Sequence, residues 1–304
     1  MRVFLTGGTG FVGREITRQL LAAGHKVRAL VRSGSEAKLA LPEQVEVYHG
    51  DISDAATLNE PLSGCDAVIH LVGIIREFPS KGVTFQRLHI ETVRRMIAAT
   101  EAAGIKRFIH MSANGVRPNA QASYHQTKWE AEELLRASKL DWTILRPSII
   151  FGPEGEFVTM LADLIRKMPV IPVIGKGNYR MQPVAIAEVA ASFVKALTLP
   201  ATIGQTFQIG GRESYTYEEI LDHTGAAIGH SPVRKLHHPV FMMKPVIKLL
   251  EGASAFPITS DQLTMMLEGN VCDPSDWAAA FDIDPISFAE GIHDCFPQMA
   301  AHQE

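Results

Sequence analysis

Short apolar runs alternate with amphipathic stretches over the first half of the chain. "RVFLT" (2–6) is apolar throughout and ends at glycine, the pattern of a strand buried on both faces. In "GFVGREITRQLLAAG" the residues Val12, Ile16, Leu20 and Ala23 recur at helical spacing, and Gly24 marks the stop. Further strands are predicted at 26–31 (KVRALV), 45–50 (VEVYHG), 66–73 (DAVIHLVG), 106–112 (KRFIHMS) and 141–148 (DWTILRPS). Between them lie a short helix in "SDAATLNEPL", capped at Ser53 or Asp54, a long helix over 84–104 and another over 122–135. Such alternation predicts a parallel sheet covered on both faces.

Beyond "IIFGPEG" (149–155) the regularity weakens. An amphipathic helix (156–168) precedes a Pro/Gly-punctuated loop and strand (169–184), a helix (186–197), a strand (205–211) and a helix (216–229). The chain therefore reads as α/β: a Rossmann doubly wound parallel sheet over 1–150, with additional core elements near 176–211. Residues 151–304 read as a mixed, smaller C-terminal lobe that covers a substrate. "PVFMMKPVIKLLEG" (239–252) reads most simply as a core helix; capping an apolar pocket or lying on a membrane surface are the alternatives.

The first strand–helix junction, "TGGTGFVG", carries Gly7, Gly10 and Gly13, with Thr9, Phe11 and Val12 in the same turn. Glycine permits a tight turn and close backbone approach to a pyrophosphate, while the helix N-terminus supplies amide donors and positive dipole. The second strand ends "ALVRSGS", placing Arg32 nineteen residues after Gly13, with no acid before Glu36. A guanidinium suits a ribose 2′-phosphate, whereas a carboxylate suits the free hydroxyl. NADP(H) is therefore expected over NAD(H).

Tyr124 and Lys128, four apart at the start of a helix, project from one face. Ser112 ends the fifth strand twelve residues before Tyr124, so all three belong at the carboxyl edge of the sheet. A phenol beside an ammonium is a general acid or base whose pKa the positive charge should lower. The competing reading is a packed ring and a solvated lysine.

With "HGD" (49–51), "HLVG" (70–73) and "LRP" (145–147) added, the chain resembles the short-chain dehydrogenase/reductase superfamily in its extended or atypical branch. "HLVGIIRE", "RFIHMSANGVRP", "YHQTKWEAEELL", "DWTILRPSIIFGP" and "QPV" (182–184) make it similar, more narrowly, to proteins like the nucleotide-binding accessory subunit of respiratory complex I. The resemblance implies that Asp51 and Ile52 bracket an adenine, that Leu71, Val72 and Gly73 pass beneath the adenosine and ribose, and that Pro147 flanks the nicotinamide. It also implies that Lys128 binds the nicotinamide ribose and Ser112 the substrate oxygen. The superfamily often carries an Asn on the long helix where this chain has His89, and Arg180 resembles a substrate-facing arginine of the extended branch.

Composition narrows the remainder. A net charge of −4 gives no electrostatic case for nucleic acid, and three distant cysteines suggest a reducing compartment, by default the cytoplasm. No signal peptide, transmembrane stretch or metal-ligand spacing is expected, although peripheral membrane contact is compatible with 239–252. Two function classes stand: an NADP(H)-dependent oxidoreductase acting on a small-molecule carbonyl or alcohol (or an epimerase/dehydratase-like enzyme), and a non-catalytic NADP(H)-binding module for assembly or redox sensing.

Overall fold

The computed structural model describes residues 1–253, 256 and 258–297. Strands β1 (Arg2–Thr6), β2 (Lys26–Val31), β3 (Val45–His49), β4 (Ala67–His70), β5 (Arg107–Met111), β6 (Asp141–Pro147) and β7 (Gln205–Ile209) form one sheet. Its order is β7-β6-β5-β4-β1-β2-β3, and the pairings among β1 to β6 are parallel. Both faces are covered, which is why Val3, Phe4 and Leu5 are successive yet wholly buried. The order reverses between β1 and β4, and in open parallel sheets the crevice at the carboxyl ends of such strands receives the ligand.

Two compact units organise the chain. The first comprises Met1–Pro147, Ile186–Gln208 and Ser275–Ile283; the second comprises Ser148–Ala185, Ile209–Pro274 and the residues from Asp284. In the first unit α1 (Phe11–Ala22) lies beside α4 (Ile186–Ala196), and the Gln19 amide donates to Ala187 O at 3.0 Å. On the opposite face Met96 of α2 (Thr92–Ala102) and Leu135 of α3 (Ser123–Arg136) pack on Phe4, Val68, Phe108 and Ile144. Ser275–Phe281 seals this unit: Trp277 is fully buried, its Nε1 donates to Ser192 Oγ at 2.7 Å, and Phe281 meets Phe207 edge-on.

The helix expected over 84–104 is not uniform. Residues Gln86–Glu91 form a wide π-type turn that runs into α2. Such wide turns are rare and cluster at functional sites. This one carries His89.

In the second unit the helices Glu156–Lys167 and Tyr217–Ala227 close over Phe151, Ile171, Val173 and Phe288. Arg180 is exposed and donates to Ser214 Oγ (2.9 Å) and Ser214 O, so its side chain is engaged within this unit. The core-helix expectation for 239–252 is overturned. Helix α5 (Val240–Leu250) buries only Ile247, with Val240 and Met243 half-buried on the same side, and every other residue is exposed. Lys244 and Lys248 share one side and apolar residues occupy the rest, so the pattern alone did not reveal which apolar side is covered. Among the described residues no helix is long and apolar enough to cross a membrane.

Candidate active site and dinucleotide cradle

The glycine loop is built from backbone. Gly7 sits at φ +79°, a conformation L side chains rarely adopt, and its carbonyl accepts from Gly10 N–H at 3.1 Å. A Cβ on Gly13 would fall 2.2 Å from Gly7 O and 2.7 Å from Gly8 Cα, so only glycine lets α1 approach the loop this closely. Thr9 offers its carbonyl to the Arg14 guanidinium (3.4 Å); Val12 is buried and Phe11 half-buried. Leu71 donates its N–H to Thr6 O at 3.2 Å and lies directly beside Gly7, while the half-buried Val72 and exposed Gly73 continue the edge. A cradle that a single Cβ would fill fits a dinucleotide pyrophosphate.

At the second end of the crevice Arg32 is exposed immediately after β2. Asp51 follows β3, and its carboxylate accepts from Ser53 N–H at 2.7 Å. That bond, reinforced by the charges of Arg87 and Arg32, holds the carboxyl below the usual range. Arg87 donates to Ser53 Oγ (3.2 Å), and Ile52 is buried beside them. Two guanidinium charges thus act on this corner, whose chemistry suits an anionic group.

The third group gathers where β4, β5 and α3 meet. Lys128 is only 2% exposed; its Nζ donates to Met111 O at 3.0 Å and would touch a Cβ on Gly73 at 3.0 Å. Burial lowers its pKa to about 8, against a smaller upward pull from Glu132. Ser112, next in chain to Met111, is buried, and its Oγ has no hydrogen-bond partner among the described residues. Pro147 ends β6, and its carbonyl accepts from Asn114 N–H at 2.9 Å.

Tyr124 is half-buried, with its ring edge-on to Phe85 (5.9 Å), His89 (5.4 Å) and His125 (5.4 Å). Burial among these rings raises the phenol to about 12, opposite to the lowering expected from a nearby ammonium. Desolvation alone sets the direction here. His89 Nδ1 lies 2.9 Å from Thr127 Oγ1, and Nε2 lies 3.0 Å from Ile74 O and 3.2 Å from Ile74 N, so both ring nitrogens are engaged. His89 is therefore a packing and positioning residue between the wide turn, α3 and the loop after β4.

Two buried polar features escaped the sequence pattern. Glu132, four residues after Lys128, is wholly buried and bonds Arg146 of β6 through both oxygens (2.8 and 2.5 Å), and Arg136 at 2.6 Å. Thr6, His70 and His110 lie in register on β1, β4 and β5. His70 Nδ1 is 2.7 Å from Thr6 Oγ1, and its ring stacks on His110. A Glu at i+4 after the lysine and an Arg in "LRP" were visible signals, but only strand register brings the histidines together.

These histidines make acid stability predictable. Burial first, and the Lys128 charge second, lowers His70 to about 3 and His89 to about 2, and holds His110 well below the ordinary value. Folded pKa values below the unfolded 6.5 mean that protons bind the unfolded chain preferentially under that pH. Their contribution is fully present above 6.5 and lost as pH falls. Each should remove on the order of 1 kcal/mol per pH unit below 6.5. Urea unfolding from pH 7 to 4 should show this slope, and His110→Phe should make it shallower; an unchanged slope would contradict the assignment.

The sheet and the glycine cradle define a dinucleotide-binding α/β protein. The chain belongs to the NAD(P)H-binding family, whose model matches residues 7–169, within the extended short-chain dehydrogenase/reductase fold. It is similar to the mitochondrial NADH-ubiquinone oxidoreductase 40 kDa subunit of Neurospora crassa, 28% identical over 88% of this chain and 71% of that one. It is also similar to the ceramide reductase of Caulobacter vibrioides, 30% identical over 76% of this chain and 71% of that protein. Among solved structures, the UDP-glucose 4-epimerase of Thermotoga maritima superposes over all of both chains with a TM-score of 0.78 at 18% identity, a likeness of fold.

Proposed function

We propose that this chain is an NADP(H)-dependent oxidoreductase that interconverts a carbonyl and an alcohol on a lipophilic substrate. The observation that carries it is the buried, unpartnered Ser112 Oγ next to the Met111 carbonyl that Lys128 engages. A buried hydroxyl without a partner is costly unless it serves a ligand. Bound NADP(H) would supply or accept the hydride. Ser112 Oγ would donate to the substrate oxygen, and Tyr124, protonated at any physiological pH, would deliver the proton as that oxygen gains charge. Lys128 would hold the cofactor ribose and keep positive charge beside the reacting oxygen. The likeness to a ceramide reductase supports a lipophilic carbonyl. NADPH oxidation measured against a panel of long-chain ketones and of sugar nucleotides tests this, and turnover confined to sugar nucleotides would overturn it.

Arg32 and Arg87, both acting on Asp51, support NADP(H) over NAD(H). Arg32→Ala should weaken NADPH binding about tenfold or more and leave NADH binding nearly unchanged, since a charge-assisted bond contributes roughly 1.5–3 kcal/mol. Equal losses for both nucleotides by fluorescence titration would remove the preference.

A second reading, a non-catalytic NADP(H)-binding module, is favoured by His89 at the position of the superfamily's asparagine and by the likeness to a complex I subunit.

A further inference from the structure

Helix α5 of the second unit is an unpartnered surface of definite chemistry. Val240, Met243 and Ile247, spaced i, i+3, i+7, turn inward. Phe241, Met242, Pro245 and Leu249 occupy the opposite side, where Phe241 is 75% exposed, Met242 54% and Leu249 84%. Lys244 and Lys248 flank this stripe on one side, and no acidic residue falls between Pro239 and Leu250. The strand Lys235–His238 that leads into the helix adds the exposed Leu236. Beneath the start of α5 opens a groove of about 580 Å³, lined by Lys176, Asn178, Tyr179, His237, Val240 and Leu267. The Tyr179 hydroxyl is buried there without a hydrogen-bond partner among the described residues.

Contiguous exposed apolar area of this kind marks an interaction surface. We infer that α5 docks this protein on an anionic lipid bilayer, with Phe241, Met242 and Leu249 entering the acyl boundary and Lys244 and Lys248 meeting the headgroups. Charge complementarity selects this occupant: an apolar face edged by lysines and free of carboxylates matches a negatively charged interface. Length agrees, because eleven residues span only about 16 Å and must lie in the interface plane rather than cross it. The inference stands apart from the catalytic reading, and its test does not use activity.

Flotation of the full-length chain with phosphatidylcholine vesicles, alone or with about one-third phosphatidylglycerol, is decisive. The protein should float with the anionic vesicles, less so in high salt, and stay behind with the neutral ones. Phe241→Asp/Leu249→Asp should reduce partitioning at least tenfold, and Lys244→Glu/Lys248→Glu at least fivefold. All four positions are exposed, so circular dichroism and NADPH binding should match the parent. Failure to float, or equal flotation by the Phe241/Leu249 variant, would overturn the inference. So would a dimer in light scattering that this variant converts to monomer without changing flotation, which would assign the face to a second copy of the chain.

Discussion

Replacing Tyr124 by phenylalanine is expected to lower turnover of a carbonyl substrate about 10²–10⁴-fold while leaving NADPH affinity and melting temperature nearly unchanged. The ring sits edge-on to Phe85, His89 and His125, and phenylalanine preserves all three contacts. What disappears is the phenolic proton, held at a pKa of about 12 by burial. An alkoxide formed by hydride delivery is a much stronger base than that phenolate, so a high phenol pKa is compatible with donation. Lys128→Met is expected to differ: its stem still fills the space, but the bond to Met111 O and the charge are lost, weakening NADPH binding together with turnover. Steady-state kinetics beside nucleotide titration separate the two. Full activity in Tyr124→Phe, paired with a collapsed Lys128→Met, would assign the pair to cofactor holding and favour the module.

Glu132→Ala should cost about 3–5 kcal/mol of folding stability, because it strands Arg146 in the interior. Glu132 is wholly buried and Arg146 is 8% exposed. Arg136 and Arg146 both lie over the Trp129 ring, at 4.9 and 5.8 Å from its centroid, which adds to the packing around the Arg146 guanidinium. Adding Arg146→Met should recover much of the loss, since an apolar pair avoids the stranded charge. Urea midpoints across this double-mutant cycle report the coupling. Additive effects would show the ion pair to be energetically idle. The clamp joins α3, which carries Tyr124 and Lys128, to β6, which ends at Pro147, so the surviving fraction of Glu132→Ala should also bind NADPH less tightly.

How much of this was legible beforehand follows from what each element depends on. Strands buried on both faces announce themselves as uninterrupted apolar runs, and "TGGTGFVG" requires glycine at Gly13 for a local steric reason. Both are short-range properties. The wide turn at Gln86–Glu91 was hidden because one extra residue per turn barely disturbs an apolar period. The His70–His110 stack depends on the register of strands about forty residues apart in sequence, roughly the separation that periodicity cannot see. The direction of the Tyr124 shift turned on the surrounding rings, which come from the wide turn and from α3 itself. Helix α5 failed as a core element because hydrophobicity records what could be covered, not what covers it.

The interleaved course of the chain bears on the order of synthesis. Nucleotide-cradle residues emerge from the ribosome early, yet β7 arrives only with residues 205–209, and Trp277, which plugs the same unit, some seventy residues later. Until then the β6 edge lacks its neighbour and Ser192 lacks its indole partner. A nascent chain stalled near residue 150 would therefore present an open strand edge, an invitation to pair with other chains. About sixty residues of elongation separate β6 from β7, at roughly 5–20 residues per second, and chaperone engagement should concentrate in this interval.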